Sequence, residues 1–244
     1  MQISTKPLHN CYMVAMNEKL LYTPTQKNSD AIPMGWLYPA PYSVAISSLG
    51  YLSLFKQLDI MPNVRPVRMD SDTIEQHNPK DFELIGLSFA FELDILELLK
   101  QFDTWGIPLL AEERDFPDLP LIFAGGPAVT TNPEPYADFI DFFIIGDGEE
   151  TLANLITAYS EVRHKMTSKI EAPKADGAYT KLDILKHLAI NVPGLYVPSL
   201  YEVSYKSDQS EITSITPKYD DVPQIVERQS ARFENNHIMT TPIL

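Results

Sequence analysis

The chain has 244 residues, the length of one large domain or of a common-sized domain with an extension. Its net charge of −14, without any basic patch, argues against nucleic acid or an anionic membrane surface as a direct partner. The single cysteine, Cys11, excludes an internal disulfide framework, and no apolar run approaches the ~20 residues that span a bilayer. Because no basic-then-apolar leader is present, we expect a cytoplasmic protein.

The first part of the chain predicts an arm and two strands. Residues 1–33 have no clear period and are interpreted as an N-terminal arm. The apolar run 36–38 predicts the first strand, and Ser43 predicts the N-cap of a helix that ends near residue 58. Residues 64–69 predict a second strand. Pro66 within it lacks a backbone donor, which favours an edge position in the sheet.

Three further strands are predicted downstream. Residues 84–89 predict a central third strand, and a helix over 92–105 follows and ends at Gly106. The runs 121–124 and 142–145 are short and apolar, and each stops at glycine. This pattern is typical of neighbouring strands that are buried on both faces of a parallel sheet.

Helix signals accompany the last two strands. Asn132 with Pro133 predicts a very short helix, and Asp147 with Glu150 predicts a capping box at the start of a long one. Beyond that helix the composition predicts, in order, a linker over 167–180, a helix over 182–190, and a hairpin of 201–205 with 212–216.

The alternation of strands and helices through five cycles predicts an α/β protein with a parallel sheet between two helical layers. Such a three-layer sheet is Rossmann-like and flavodoxin-like, with the strand order 2-1-3-4-5. The predicted parts are the arm over 1–33, this domain over 34–166, and a linker and extension over 167–244.

Ligands of such sheets bind at the carboxyl ends of the strands, where glycine lets the backbone approach them closely. The candidate binding residues follow the predicted strands and are Tyr38, Pro39, Tyr42, Ser88, Phe89, Phe91, Gly125, Gly126, Pro127, Gly146, Asp147 and Gly148. The alternative is that the glycines only make tight turns and that the aromatic rings belong to the core.

Metal and catalytic groups are not indicated. Asp147, Glu149 and Glu150 are carboxylates near one another, but acids in a first helical turn also complement the helix dipole, so we assign no metal ligand. Neither G-x-x-x-x-G-K-[ST] nor G-x-G-x-x-G occurs. The histidines show no metal-ligand spacing and are His9, His77, His164, His187 and His237. We therefore assign no catalytic residue to this chain.

Residues 123–151, FAGGPAVTTNPEPYADFIDFFIIGDGEET, resemble the end of the N-terminal, cobalamin-binding-like domain of B12-type radical S-adenosylmethionine (SAM) proteins. That group carries the pattern GGP…NPEP…D…IGEGEE. Three other segments resemble the same group: LYPAPYSVAISSLG, FELIGLSFAFELD and PGLYVPSLYEV. The resemblance covers residues 33–244 and implies a Rossmann-like domain that holds a corrinoid or another flat ligand against a catalytic barrel.

The last eight residues, HIMTTPIL, resemble the stretch that runs directly into the barrel in this group. The C-x-x-x-C-x-x-C triad that ligates a [4Fe–4S] cluster there does not follow here, so we expect the chain to be cut just before the barrel. On this resemblance the chain alone is non-catalytic. The cluster, SAM and the chemistry would belong to the barrel of a full-length radical SAM enzyme, which would also be the partner of this domain.

One departure from the family pattern concerns cobalamin. Domains that bind it base-off supply a cobalt-ligating histidine in D-x-H-x-x-G, which is absent here, and the position after Gly-Gly-Pro is Ala128 where many relatives have histidine. Cobalamin, if bound, would have no histidine ligand from this chain. Two alternatives stay open: a ligand-free domain that docks on the same barrel, and a free-standing flavodoxin-like module for a nucleotide or flavin. Pro39 and Pro41 remove two backbone donors from the first loop, which argues against the nucleotide module.

Overall fold

A six-stranded sheet lies at the centre of the computed structural model, which describes residues 18–170, 179–208, 211–231 and 240–244. Its strands are β1 Ile32–Leu37, β2 Val64–Met69, β3 Leu84–Ser88, β4 Leu121–Gly125, β5 Phe142–Ile144 and β6 Leu195–Tyr196. They stand in the order β2-β1-β3-β4-β5-β6, with β1 to β5 parallel and β6 antiparallel to β5. The predicted α/β class and the order 2-1-3-4-5 are confirmed, and β2, with Pro66, is an edge strand as predicted.

Helices cover both faces of this sheet. They are α1 Tyr42–Ala45, α2 Leu49–Asp59, α3 Asp94–Trp105, α4 Pro127–Thr131, α5 Gly148–Ile170 and α6 Lys181–Asn191. α2 and α5 contact each other and so share one face, and α6 packs on α5. The connections from β1 to β2 and from β3 to β4 run in opposite directions along the sheet. Right-handed crossovers therefore place α3 on the opposite face, and the direction of winding reverses between β1 and β3.

The structure corrects two predictions near the start of the chain. β1 begins at Ile32, four residues before the predicted strand and inside the predicted arm. The predicted helix from Ser43 to residue 58 is two helices, and Ser43 lies inside the first of them. The chain leaves α1 where the hydroxyl of Ser47 donates to the carbonyl of Val44 (2.7 Å), and Ser48 is extended before α2 begins. Serine favours such breaks because its side chain competes for backbone hydrogen bonds.

A third correction concerns the Gly-Gly-Pro stop after β4. Pro127 is the first residue of α4, a helix that the sequence analysis treated as a loop. Proline suits this position because its fixed φ is helical and its missing N–H has no partner there in any case. Asn132 follows α4, and its Oδ1 accepts from the N–H of Glu134 (3.3 Å) at the start of the short 3₁₀ helix Glu134–Tyr136.

The core contains a row of large rings across the sheet. In the strand register Trp36 lies beside Gly86, Gly86 beside Phe123, and Phe123 beside Phe142. A Cβ at Gly86 would lie 2.6–2.7 Å from the rings of Trp36 and Phe123, which is closer than real Cβ atoms approach. Glycine at this central position is therefore required by the two rings, which close over it from both sides.

A buried ion cluster fastens the amino edge of the sheet, away from the carboxyl ends of the strands. The guanidinium of Arg114 is buried and donates to three backbone carbonyls, those of Pro108, Leu109 and Phe139 (2.7–3.2 Å). The carboxylate of Asp141 accepts from the backbone N–H of Ile122 (2.8 Å) and pairs with Lys181 of α6 (2.6 Å).

The predicted hairpin is confirmed as β7 Tyr201–Tyr205 paired antiparallel with β8 Ile212–Pro217. No helix among the described residues is both long enough and apolar enough to cross a membrane. Several sequence features lie outside the described residues: His9, Cys11, His237 and most of the predicted linker.

Candidate ligand cleft at the carboxyl edge

A cleft of about 520 Å³ opens at the carboxyl edge of the sheet, where β1, β3, β4 and β5 end. Its sides are formed by α2, α4 and the first turn of α5. Doubly wound sheets bind their ligands where the winding direction reverses, which here is between β1 and β3. The volume falls within the ~300–1,000 Å³ that is common for small-molecule sites. The cleft therefore has the position and the size of a ligand site.

Seven of the twelve predicted site residues line this cleft. They come from the ends of β3, β4 and β5 and from the residues that follow, and they are Ser88, Gly125, Gly126, Pro127, Gly146, Asp147 and Gly148. The motif that carries the family resemblance thus lies along one side of the cleft.

The three predicted residues that follow β1 lie outside it. Tyr38 is buried, with its ring edge-on to that of Tyr51 at 5.2 Å between centroids, and Pro39 is buried next to it in the chain. Burial raises the pKa of the Tyr38 hydroxyl, so this group stays protonated. Tyr42 points away from the cleft and donates its hydroxyl to Glu18 (2.9 Å).

The two predicted rings that follow β3 also lie outside the cleft. Phe89 is buried against Tyr136, with 4.8 Å between ring centroids, and is a core residue. Phe91 is 69 % exposed. The turn that presents it is shaped by Asp94, whose Oδ2 accepts from the N–H groups of Ala90 and Phe91 (3.1 and 3.0 Å).

The sequence analysis missed the apolar wall and part of the rim. Trp36, Tyr51 and Phe123 contribute rings to the wall. Trp36 stacks on Tyr51 at 6.1 Å, and its indole N–H donates to the carbonyl of Tyr51 (3.0 Å). The hydroxyls of Ser48 and Thr130 lie on the rim. The strand prediction over 36–38 could have indicated Trp36, but the other residues carry no local signal.

Two of the predicted glycines are needed by the protein's own backbone. Gly126 has a φ of +121°, and a Cβ there would collide with the carbonyl of Phe89. Gly146 has a φ of +106°, and a Cβ there would collide with the backbone of Gln229. Gly125 differs, because its Cβ would meet only Ile144 at an ordinary 3.6 Å. The close approach expected at Gly126 and Gly146 is therefore made by this chain.

The segment that approaches Gly146 is residues 228–231, called the strap below. Gln229 donates its N–H to the carbonyl of Ile145 (2.9 Å) and accepts from the N–H of Asp147 (3.0 Å). The N–H of Ala231 donates to the Asp147 Oδ2 (2.8 Å). Arg228, at the start of the strap, lines the cleft. The strap thus fastens to the loop after β5 and adds a guanidinium to the cleft.

The charged groups of the cleft are two carboxylates and one guanidinium: Asp147, Glu149 and Arg228. Both carboxylates stand at the start of α5, where acids offset the partial positive charge of a helix N-terminus. In the described part of the chain no group of three or more His, Cys, Asp or Glu side chains is placed to hold a metal ion. Among the described residues that line the cleft there is no histidine.

A second cavity, of about 580 Å³, lies along the outer edge of β2. Its lining includes Phe55, Val67 and the carboxylate of Asp70. Burial raises the pKa of Asp70, although the N–H groups of Asp72 and Thr73 donate to its Oδ1 and favour the charged form. The cavity faces the side of the sheet and not the carboxyl ends of the central strands, so the cleft is the better candidate site.

The fold and the cleft define a Rossmann-like domain with a ligand-sized opening at its strand ends. Residues 55–198 match the family described as radical SAM proteins, N-terminal, and the chain belongs to this family. It is also similar to the uncharacterized protein MJ0966 of Methanocaldococcus jannaschii, at 24 % identity over 172 residues. That match covers 69 % of this chain and 35 % of the relative, so the chain spans about a third of that protein's length. No solved structure matches the chain.

Proposed function

We propose that this chain is the N-terminal accessory domain of a radical SAM enzyme and that its cleft holds a flat ligand, a corrinoid or a molecule of similar shape, against the catalytic barrel. The carrying observation is that the family-like motif residues, from Ser88 to Gly148, line a cleft of ligand size at the strand ends. In this proposal the [4Fe–4S] cluster, SAM and the bond-making steps belong to the barrel. The domain itself binds and positions.

The cleft residues have the chemistry to orient a flat ligand. The rings of Trp36, Tyr51 and Phe123, each at most 4 % exposed, form an apolar wall behind the cleft, and Ser48 and Ser88 carry hydroxyls that can hydrogen-bond a ligand at its border. A corrinoid would supply a cobalt centre able to carry an alkyl group. The described residues would hold its periphery, because none of those that line the cleft is a histidine.

The test is a titration of the chain with hydroxocobalamin and with cobinamide, followed by tryptophan fluorescence. The chain has two tryptophans: Trp36 lines the cleft, whereas Trp105 ends α3 at the far edge of the sheet. In a Trp105→Phe variant, quenching reports on the cleft alone. Saturable quenching is expected. No quenching by either corrinoid up to ~1 mM, a binding free energy weaker than about −4 kcal/mol, would overturn the corrinoid proposal.

A cleft-filling variant serves as the matched control. In Gly125→Ala the added methyl group meets only Ile144, in ordinary contact, so the fold should tolerate it. Ile144 also lines the cleft, and the methyl group lies on that side. Unchanged thermal unfolding with weakened corrinoid binding would locate the ligand in the cleft. Unchanged corrinoid binding would locate it elsewhere.

A second candidate function, docking on the barrel without any ligand, is favoured by exposed apolar side chains between β3 and α3. Phe91, Leu93 and Leu96 are 69 %, 75 % and 58 % exposed, and they follow Ala90, a lining residue of the cleft, within six residues of the chain. Exposed apolar side chains that cluster on a surface mark interaction sites.

The docking function makes a different prediction from the ligand-binding one. A Phe91→Ser, Leu93→Ser variant should lose binding to the separately produced barrel. Leu109→Ser is a control, because Leu109 is 42 % exposed but precedes β4 at the opposite edge. Barrel binding that needs no corrinoid, and that is lost in the Phe91→Ser, Leu93→Ser variant but not in Leu109→Ser, would favour docking over ligand binding.

A further inference from the structure

The cleft carries more negative than positive charge. Of the described residues that line it, Asp147 and Glu149 carry negative charge and Arg228 carries positive charge, and Glu150 is an exposed acid on the same helical turn as Glu149. The chain as a whole has a net charge of −14. A ligand group with negative charge would therefore meet like charge at the cleft and from the surrounding surface.

The start of α5 does not offset this repulsion. A helix N-terminus normally attracts anions through its free N–H groups and its dipole. Here Asp147 precedes the helix and Glu149 and Glu150 occupy its first turn, so their negative charges offset the positive end of the helix dipole before any ligand binds. The hydroxyl of Thr130 also accepts from the N–H of Gly146 (3.1 Å), so this N–H does not donate to a ligand.

The space beneath the cleft is also filled. A tail that descended between the sheet and α2 would have to pass over Gly86, where a ligand could otherwise lie close to the backbone. The rings of Trp36 and Phe123 close over this glycine, and neither is more than 4 % exposed. Phe123 stacks in turn on Phe142 at 5.0 Å. The cleft accepts a flat group but offers no channel for an extended tail.

We infer that the ligand of this cleft is a flat, neutral or cationic molecule edged with N–H donors, and that the cleft discriminates against phosphate-bearing ligands, including corrinoids with their nucleotide tail. This inference rests on the proposed function and narrows its ligand class. Amide or ring N–H groups of such a ligand would find acceptors in the carboxylate of Glu149 and the hydroxyls of the rim.

The experiment measures two matched ligand pairs by isothermal titration calorimetry with the 244-residue chain. Riboflavin and FMN share a ring and differ by one phosphate. Cobinamide and cyanocobalamin share a corrin and differ by the nucleotide tail. The phosphate-free member should bind about tenfold more tightly in each pair that binds, the size expected for one like-charge contact near the surface.

Two variants separate charge in the cleft from charge on the surface. Glu149→Gln should narrow the affinity difference between riboflavin and FMN. Glu150→Gln removes the same charge from an exposed site outside the lining and should narrow this difference less. Riboflavin preference without corrinoid binding would support this inference and remove corrinoids from the proposed function. Equal or tighter binding of the phosphate-bearing members would overturn the inference and leave the proposed function standing. No binding of any of the four ligands at ~1 mM would overturn both.

Discussion

The contact between Gly146 and the strap can be tested with one methyl group. A Gly146→Ala substitution places a Cβ against the backbone of Gln229, at a residue with φ of +106°. The methyl group and the strap cannot occupy the same space, so the strap must leave. It would lose two backbone hydrogen bonds, at Ile145 and Asp147, and one from Ala231 to the Asp147 carboxylate. At about 0.5–1.5 kcal/mol for each neutral bond and about 1.5–3 for the charged one, the loss lies within about 2.5–6 kcal/mol. We expect about 3 kcal/mol, toward the lower end, because the strap is partly exposed to water.

Trypsin provides the assay, because Arg228 lies in the strap and is exposed. If the strap opens and closes faster than trypsin cleaves, the cleavage rate follows the population of the open form. A loss of about 3 kcal/mol should then raise cleavage after Arg228 about a hundredfold, measured by mass spectrometry relative to a site within a helix, such as Lys100 of α3.

The matched control is Gly126→Ala. Gly126 also has a positive φ, +121°, and its Cβ would also collide with a backbone carbonyl, but that carbonyl belongs to Phe89 and not to the strap. Both variants therefore carry backbone strain of about 1–3 kcal/mol, and only one displaces the strap. Unchanged cleavage after Arg228 in Gly146→Ala, or an equal rise in both variants, would refute the reasoning.

Three other perturbations test the packing and the titration of the core. Gly86→Ala should lower the free energy of unfolding, measured by urea titration, by about 2–3 kcal/mol, because the added methyl group overpacks the core. Gly50→Ala should raise it by about 0.5–1 kcal/mol, because nothing lies within 4 Å of the added methyl group and alanine favours the helix. Asp141→Ala should cost about 3–5 kcal/mol by the same measurement, because it removes the carboxylate that pairs with the buried guanidinium of Arg114 (3.5 Å), and a cost below ~1 kcal/mol would contradict this. Burial and the hydrogen bond to Glu134 raise the pKa of Tyr196 above its ordinary 10.0, so its stabilising contribution is complete below pH 10 and is lost as pH rises further. Tyr196→Phe should reduce the alkaline slope of the free energy of unfolding by about 1.4 kcal/mol per pH unit, and an unchanged slope would contradict this.

The sheet could be predicted because its strands carry local signals. β3, β4 and β5 are short apolar runs that stop at turn residues, and Pro66 marked β2 as an edge strand. The start of β1 carries the opposite signals. Pro33 and Gly35 within it are typical of turns, yet Gly35 is needed because a Cβ would press on the side chains of Met69 and Ile85. Residues that are distant in the sequence therefore determine which side chain fits at position 35, and no local sequence pattern indicates a strand there.

The sequence predicted only those site residues that lie in the segments resembling the family. The ends of β3, β4 and β5 gave seven lining residues, because parallel strands bring their carboxyl ends to one edge whatever their side chains are. The strap could not be predicted, because the pairing of Gly146 with Gln229 joins residues far apart in the sequence. For the same reason Gly146 was interpreted as a place for a ligand, when its lack of a side chain makes room for the strap.

The side chain of Asp147 couples the strap to the cleft, because it contacts the strap and also lines the cleft. Its Oδ2 accepts the N–H of Ala231, and the same side chain lines the cleft. A ligand donor that takes Oδ2 from the N–H of Ala231 would weaken the strap, and a fastened strap would weaken the binding of that ligand by the same factor. A ligand donor that engages the other oxygen of Asp147, or Glu149, would leave the strap in place. Cleavage after Arg228 in the presence of a bound ligand therefore reports whether the ligand displaces this hydrogen bond of the strap, without a structure of the complex.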